Sequence, residues 1–201
     1  MTTWRAASAT HVGLVREANE DSLYVDDQLA LVADGMGGHA AGEVASELAI
    51  SIYQQHVAKD ASLTGLAEGL AHANQSILDD ARAHPERQGM GTTLTGVALI
   101  PYDGGHAVAW ANIGDSRLYL VRGGHIQQVT DDHSVAEEWV RQGRITKAEA
   151  AVHPRRHQLT RVLGMDVFTD GDTGLLPVLA GDRLVLCSDG LSNEVSDADI
   201  A

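Results

Sequence analysis

Residues 29–46 read LALVADGMGGHAAGEVAS: an apolar run, an Asp-Gly step at Asp34 and Gly35, then small residues that open an amphipathic helix. Gly35, Gly37 and Ala40 match the G-x-G-x-x-G/A pattern of a dinucleotide-binding turn. Two features argue against that reading. A pyrophosphate on this turn would meet the Asp34 carboxylate with nothing to neutralise it. A nucleotide fold also needs a parallel strand after the first helix, whereas a second helical pattern begins near Leu63.

Outward from this stretch, short strand patterns recur: SLYV at 22–25, LALVAD at 29–34, TTLTGVALI at 92–100 and HAVAWANI at 106–113. RLYLV at 117–121, HIQQVT at 125–130 and RLVLCSD at 183–189 follow. Gly-rich turns before His106 and His125 predict antiparallel hairpins. Two helices are predicted from the 3.6-residue period. One spans 41–56, with Val44, Ala45, Leu48, Ile52 and Tyr53 on one face; the other spans 63–83, with Leu66, Leu70, Ala73 and Ile77. A third helical region surrounds SVAEEWVRQG, and TKAE at 146–149 has the form of a capping box. Tandem helices between blocks of antiparallel strands give an α+β class rather than alternating β-α-β.

The 201 residues suit one domain, and 44% hydrophobic residues with only 4% aromatic predict a core of Ala, Val, Leu and Ile. A formal net charge of −14 argues against nucleic acid as the main partner, because a phosphate backbone is bound by clustered Lys and Arg. No run approaches the roughly 18 apolar residues of a membrane span, and MTTWRAASAT lacks a signal-peptide core, so no membrane association is expected. The single cysteine, Cys187, excludes an internal disulfide and fits a cytoplasmic protein.

Asp34 is one of three acids placed at the ends of apolar runs. Asp189 precedes Gly190 after RLVLCS, and Asp115 lies in the turn of ANIGDSR. Carboxylate and carbonyl oxygens suit hard cations such as Mg²⁺ and Mn²⁺, and the Cys and paired His motifs expected of zinc are missing. A glycine after the acid lets the chain turn sharply, so that the Gly35 carbonyl can point at the same ion as Asp34. Two cations bridged by one carboxylate can activate water near neutral pH and hold phosphate oxygens.

A further cluster is VREANEDS at 15–22. Arg16 can offer phosphate two parallel N–H donors; otherwise it pairs with Glu17 or Glu20 at the surface. Glu20 and Asp21 either orient metal ligands and their waters or border a loop. A cysteine phosphatase would need arginine six residues after Cys187, where Asn193 stands, and no P-loop Gly-Lys-Ser/Thr occurs. Cys187 therefore reads as a small apolar residue of a buried strand.

In this order, REANEDS, VADGMGGHAAGEVAS, GTTLTGVAL, ANIGDSRLYLVR, TDDHS, LTRVLG and LVLCSDGLSNEVSD resemble the metal-dependent protein phosphatases of the PP2C (PPM) family in its compact bacterial form. The resemblance implies a four-layer α-β-β-α sandwich of two antiparallel sheets flanked by helices, with a binuclear Mn²⁺ or Mg²⁺ centre and a third, weaker metal. By position, Asp34 would bridge the two metals, the Gly35 carbonyl would bind one and Asp189 the other. Asp115 would help Asp189 hold the third, and Arg16 would hold the substrate phosphate. Residues 131–161 correspond to the family's flap.

The implied reaction is hydrolysis of phosphoserine and phosphothreonine by in-line attack of metal-bound hydroxide. The implied substrates are phosphorylated proteins, with a Ser/Thr kinase and its targets as partners and a monomer as the working unit. Where eukaryotic members carry a histidine after Asp-Gly, this chain has Met36; His39 stands three residues on, and a metal-bound water suffices as the acid. The family continues past SDGLSNEVSD to a Gly-x-x-Asp-Asn segment and a final strand, while this sequence stops at Ala201. It is therefore expected to be a truncated domain with weakened metal binding. The alternative is a phosphatase-like binding or regulatory module that does not turn its partner over.

Overall fold

The computed structural model describes residues 3–38, 41–165 and 170–201. Strand β1 (Asp21–Val25) runs antiparallel to β2 (Leu29–Met36). Their turn is held by Asp26, whose Oδ1 accepts the amides of Gln28 and Leu29, each at 2.7 Å. Along β2 burial alternates, so Leu29, Leu31 and Ala33 face one way and Ala30 the other. The chain then forms α1 (Ala41–Val57) and α2 (Leu63–Ala83), the latter started by Ser62, whose hydroxyl accepts the Gly65 amide.

The remaining elements are β3 (Gly91–Thr92), β4 (Leu94–Tyr102), β5 (Gly105–Ile113), β6 (Arg117–Arg122), β7 (His125–Gln128), α3 (Val135–Arg141) and α4 (Lys147–Ala151). They end with β8 (Asp172–Leu176), β9 (Arg183–Cys187), α5 (Asp189–Ser192) and α6 (Asp197–Ile200). One sheet has the order β1-β2-β4-β5-β8, with β3 paired to the end of β2; the other is β7-β6-β9. All the pairings are antiparallel.

Two apolar layers hold the molecule together. Leu31, Ala33, Leu94, Ala98 and Ile100 meet Ala45, Ala49, Tyr53, Leu66, Leu70 and Ile77 of the helices. On the opposite face of the larger sheet, Val97, Leu99, Val108 and Leu176 meet Leu118 and Leu120 of the smaller one. Tyr119 alternates away from Leu118 and Leu120 and senses Asp197 at the start of α6, so that short helix lies outside the smaller sheet. This is the expected α+β sandwich, two antiparallel sheets with helices on the outside. Among the described residues its second helical layer is thin.

Local expectations meet the structure unevenly. The capping box forms: Thr146 Oγ1 accepts the Glu149 amide, and Glu149 Oε2 accepts the Thr146 amide at 2.7 Å. The predicted face of α2 is buried throughout, but α1 is rotated from expectation. Ala45, Ala49 and Tyr53 point inward, while Val44, Leu48 and Ile52 pack only on its flanks. The reason is that α1 is wedged between α2 and β2, and small residues permit that approach. The predicted strand at 92–100 is broken at Thr93, and the one at 183–189 ends at Cys187, with Asp189 opening α5. β8 carries no strong strand pattern. It forms as an edge along β5, where Gly174 lies opposite Trp110 and leaves room for its ring.

Candidate metal centre

Strand register sets the first pair of acids: Asp21 lies directly opposite Asp34 across β1 and β2. Asp34 is then pinned from the other side. Its amide donates to Thr93 Oγ1 at 2.9 Å, and its carbonyl accepts both the Thr93 amide and the Thr92 hydroxyl, each at 2.9 Å. Thr93 is the residue at which β3 gives way to β4, and its hydroxyl also meets Ser116 Oγ at 2.7 Å. That bond ties Asp34 to the β5–β6 turn carrying Asp115. Finally, Ser188 Oγ donates to Asp21 Oδ2 at 2.7 Å across 167 residues of sequence, bringing in Asp189 at the start of α5.

Asp21, Asp34, Asp115 and Asp189 thus converge from four separate parts of the chain. Burial, reinforced by Asp21, Asp189 and Asp115, pushes the Asp34 carboxyl up to about 8. Burial, with Asp189 and Asp132 adding and Arg117 opposing, pushes Asp115 up to about 7. Asp21 is also raised, chiefly by burial, against the hydrogen bond from Ser188. Without a cation, the site is a set of crowded carboxyls that resist ionisation.

Its donor chemistry suits a hard divalent ion, since every converging group is an oxygen. Among the described residues no three His, Cys, Asp or Glu side chains already close around one cation position. The rest of a bound ion's shell would fall to backbone carbonyls and water. Glu20 adds a second sign of incompleteness: its Oε1 is buried without a hydrogen-bond partner, against Gly42 of α1.

Gly35 has a different role from the sharp turn expected of it. β2 continues through it to Met36, with Gly35 paired to Thr92, and its amide donates to the Glu20 carbonyl at 3.1 Å. Glycine is needed because a Cβ would run into the Gly42 carbonyl oxygen and would lie 2.7 Å from that of Glu20. Gly190 likewise lies within α5 rather than in a turn. Gly35→Ala should destabilise the fold by about 3 kcal/mol, at the upper end of overpacking costs, as a lowered urea midpoint.

The remaining predicted residues divide. Arg16 stands exposed on the loop before β1 and makes no hydrogen bond or ion pair among the described residues. Its expected surface bridge to Glu17 or Glu20 is not formed, and no contact joins it to the four carboxylates. His39 lies outside the described residues.

The family model for protein phosphatase 2C matches residues 9–200. The chain belongs to the protein phosphatase 2C family. It is 42% identical over 201 residues to the serine/threonine protein phosphatase PstP of Mycobacterium tuberculosis, which covers 98% of the chain. The chain spans only 38% of that relative's length. Among solved structures, the PPM Ser-Thr phosphatase MsPP of Mycobacterium smegmatis, in complex with cacodylate, is 42% identical and superposes with a TM-score of 0.85, covering 94% of this chain and 80% of that one. The catalytic domain of PstP in complex with two manganese ions is 40% identical with a TM-score of 0.79, over 92% of this chain and 77% of that one.

In this phosphatase 2C chain, residues 131–161 form a small packed unit around α3 and α4. Trp139 meets His153 edge-on at 4.9 Å between ring centroids, and the Arg155 guanidinium lies 5.4 Å from the Trp139 ring centre. The unit enters beside β6, where Arg117 grips Asp132 with two donors at 2.9 and 2.6 Å. It leaves through a bridge of Leu163 to Thr92. Its His157 Nδ1 comes within 3.9 Å of Asp189 Oδ2, so the segment borders the acid cluster.

Sequence reasoning missed Thr93 and Ser188, the residues that join the pieces. The only local signal for Thr93 was a pair of hydroxyl residues starting an apolar strand; for Ser188 there was none beyond its place before Asp189.

Proposed function

We propose that this chain is a metal-dependent hydrolase of phosphoserine and phosphothreonine in proteins. The observation that carries the reading is the convergence of Asp21, Asp34, Asp115 and Asp189, with Asp34 and Asp115 holding their protons to near-neutral pH. Such a cluster costs folding free energy on its own and has a physical rationale when cations offset its charge. The serine/threonine phosphatase names of the similar proteins, one of them solved with two manganese ions, support the same reading with Mn²⁺ or Mg²⁺ as the ion.

Asp34 would hold both ions, with the Gly35 carbonyl and Asp189 serving one each. Asp115 would share a third, weaker ion with Asp189. Bound there, divalent cations supply an activated water and neutralise phosphoryl oxygens. Asp21 keeps Ser188, and with it the start of α5, in place through the 2.7 Å hydrogen bond. Glu20, whose Oε1 has no hydrogen-bond partner, would hold a metal-bound water.

Arg16, with no partner among the described residues, is free to grip a phosphate with two donors. Arg16→Ala should raise KM for a phosphothreonine peptide by about tenfold or more, with a smaller change in kcat, as expected for a charge-assisted pair. An unchanged KM would remove Arg16 from the site.

The substrates would be proteins phosphorylated by a Ser/Thr kinase, with the 131–161 unit as the flap that screens them. Cys187, buried and unpaired, fits the reducing cytoplasm. Titrating Mn²⁺ into a phosphothreonine-peptide assay tests the proposal. Phosphate release that rises with Mn²⁺ and stops on adding EDTA is expected. Peptide binding without phosphate release would mark a recognition module instead.

A further inference from the structure

His133 is wholly buried, and none of the roles assigned above uses it. Its ring joins two parts of the molecule. Nδ1 accepts the Gly114 amide at 3.1 Å, so the ring proton sits on Nε2, which donates to Asp172 Oδ2 at 3.1 Å. Asp172 Oδ1 in turn accepts Arg161 Nη1 at 2.8 Å, and the same nitrogen reaches the Asp170 carbonyl at 3.0 Å. The backbone repeats the link: the His133 amide donates to the Gly114 carbonyl at 2.9 Å, and the Thr160 amide to the His133 carbonyl at 2.8 Å.

Gly114 is the residue before Asp115. It has a φ of +105°, and a Cβ there would lie within 2.6 Å of Thr93 Cβ. Thr93 therefore packs on one side of this turn and His133 holds the other. An apolar side chain of the same size would fill the space but leave the Gly114 amide buried without an acceptor.

We infer that His133 is a positioning residue: through Nδ1 it sets the Gly114–Asp115 turn, and so ties the root of the 131–161 segment to the Asp115 side of the acid cluster. This rests on the reading of the cluster as a metal centre. The role belongs to one ring nitrogen, which separates it from general support of the core. Asparagine places an oxygen near the Nδ1 position and keeps an acceptor for Gly114, but cannot reach Asp172. Glutamine keeps a donor for Asp172 and offers Gly114 nothing.

The test is direct Mn²⁺ binding, followed by the paramagnetic signal of the free ion, beside phosphate release at varied Mn²⁺. His133→Gln should bind its weakest Mn²⁺ about tenfold less tightly, the size of effect seen when groups orienting metal ligands are lost. Its kcat should recover as Mn²⁺ is raised. His133→Asn should stay within about twofold of the parent in Mn²⁺ affinity, although it loses the hydrogen bond to Asp172. Should the glutamine variant not fold, His133→Ala, which also gives Gly114 no acceptor, takes its place. Equal Mn²⁺ affinity in all three proteins, or equal losses in both variants, would overturn the inference alone. A parent protein that binds no Mn²⁺ would overturn the metal centre and this inference with it.

Discussion

Asp34→Asn should lower phosphate release by roughly a thousandfold or more at saturating Mn²⁺, while raising the melting temperature of the metal-free protein at pH 8. Both halves follow from the setting of Asp34. It is the most strongly perturbed acid of the cluster, held up to about 8 first by burial and then by Asp21, Asp189 and Asp115. Asparagine keeps its shape and its strand bonds to Thr93, because those use the backbone. It removes the charge that the proposed ions need, and its amide can donate to Asp189.

The metal-free gain should be about 5 °C, what 1–2 kcal/mol is worth in a chain of this length. The two measurements are phosphate release from a phosphothreonine peptide and a thermal melt in EDTA. Parental activity in the variant would eliminate a centre built on Asp34. A lowered metal-free melting temperature would mean that the acids are not crowded.

In EDTA, the parent's melting temperature should fall by about 5 °C or more between pH 5 and pH 8, and Mn²⁺ should flatten that slope. Asp34 at about 8 and Asp115 at about 7 lie above the ordinary carboxylate value of 3.8, and Asp21 is raised in the same direction. Between these limits the folded state keeps protons that the unfolded chain has released. Stability therefore declines as pH rises through the window.

Two other sets of groups set the size of the effect. Asp26 and Asp172 are held below 3.8, so they are ionised in both states above pH 5 and add no slope. His133 is lowered by burial and acts oppositely, since the unfolded chain takes up its proton below about 6.5. One histidine against two strongly raised carboxyls leaves the net slope negative. A melting temperature that is flat or rises from pH 5 to pH 8 in EDTA would contradict the crowded cluster.

Much of this chemistry was legible as pattern. The apolar runs ending at Asp34 and Asp189, and the turn holding Asp115, marked candidate oxygen ligands because the placement recurs three times, where a single Asp-Gly would read as a turn. The period of α2 and the capping box at Thr146 and Glu149 were equally plain, since both depend on residues three or four apart. Arg16 was legible only as a residue type, and its exposed loop position leaves its role to experiment.

Other features had no local trace. The need for glycine at 35 comes from the Gly42 and Glu20 carbonyl oxygens, which approach only in the folded chain. The weak strand β8 exists because β5 offers it an edge. Cluster formation itself depends on Thr93 bonding to both Asp34 and Ser116, and on Ser188 reaching Asp21 across 167 residues.

The sequence by itself determined the α+β class, the family motifs and the kinds of atoms offered to an ion, because composition, periodicity and residue type act over a few neighbours. Tertiary structure alone decided that four aspartates come together at half-buried positions, that two of them hold their protons near neutral pH, and that the His133 ring accepts the Gly114 amide beside Asp115. Those outcomes depend on distance and desolvation, which are set when strands pair and sheets stack, not by the order of residues along the chain.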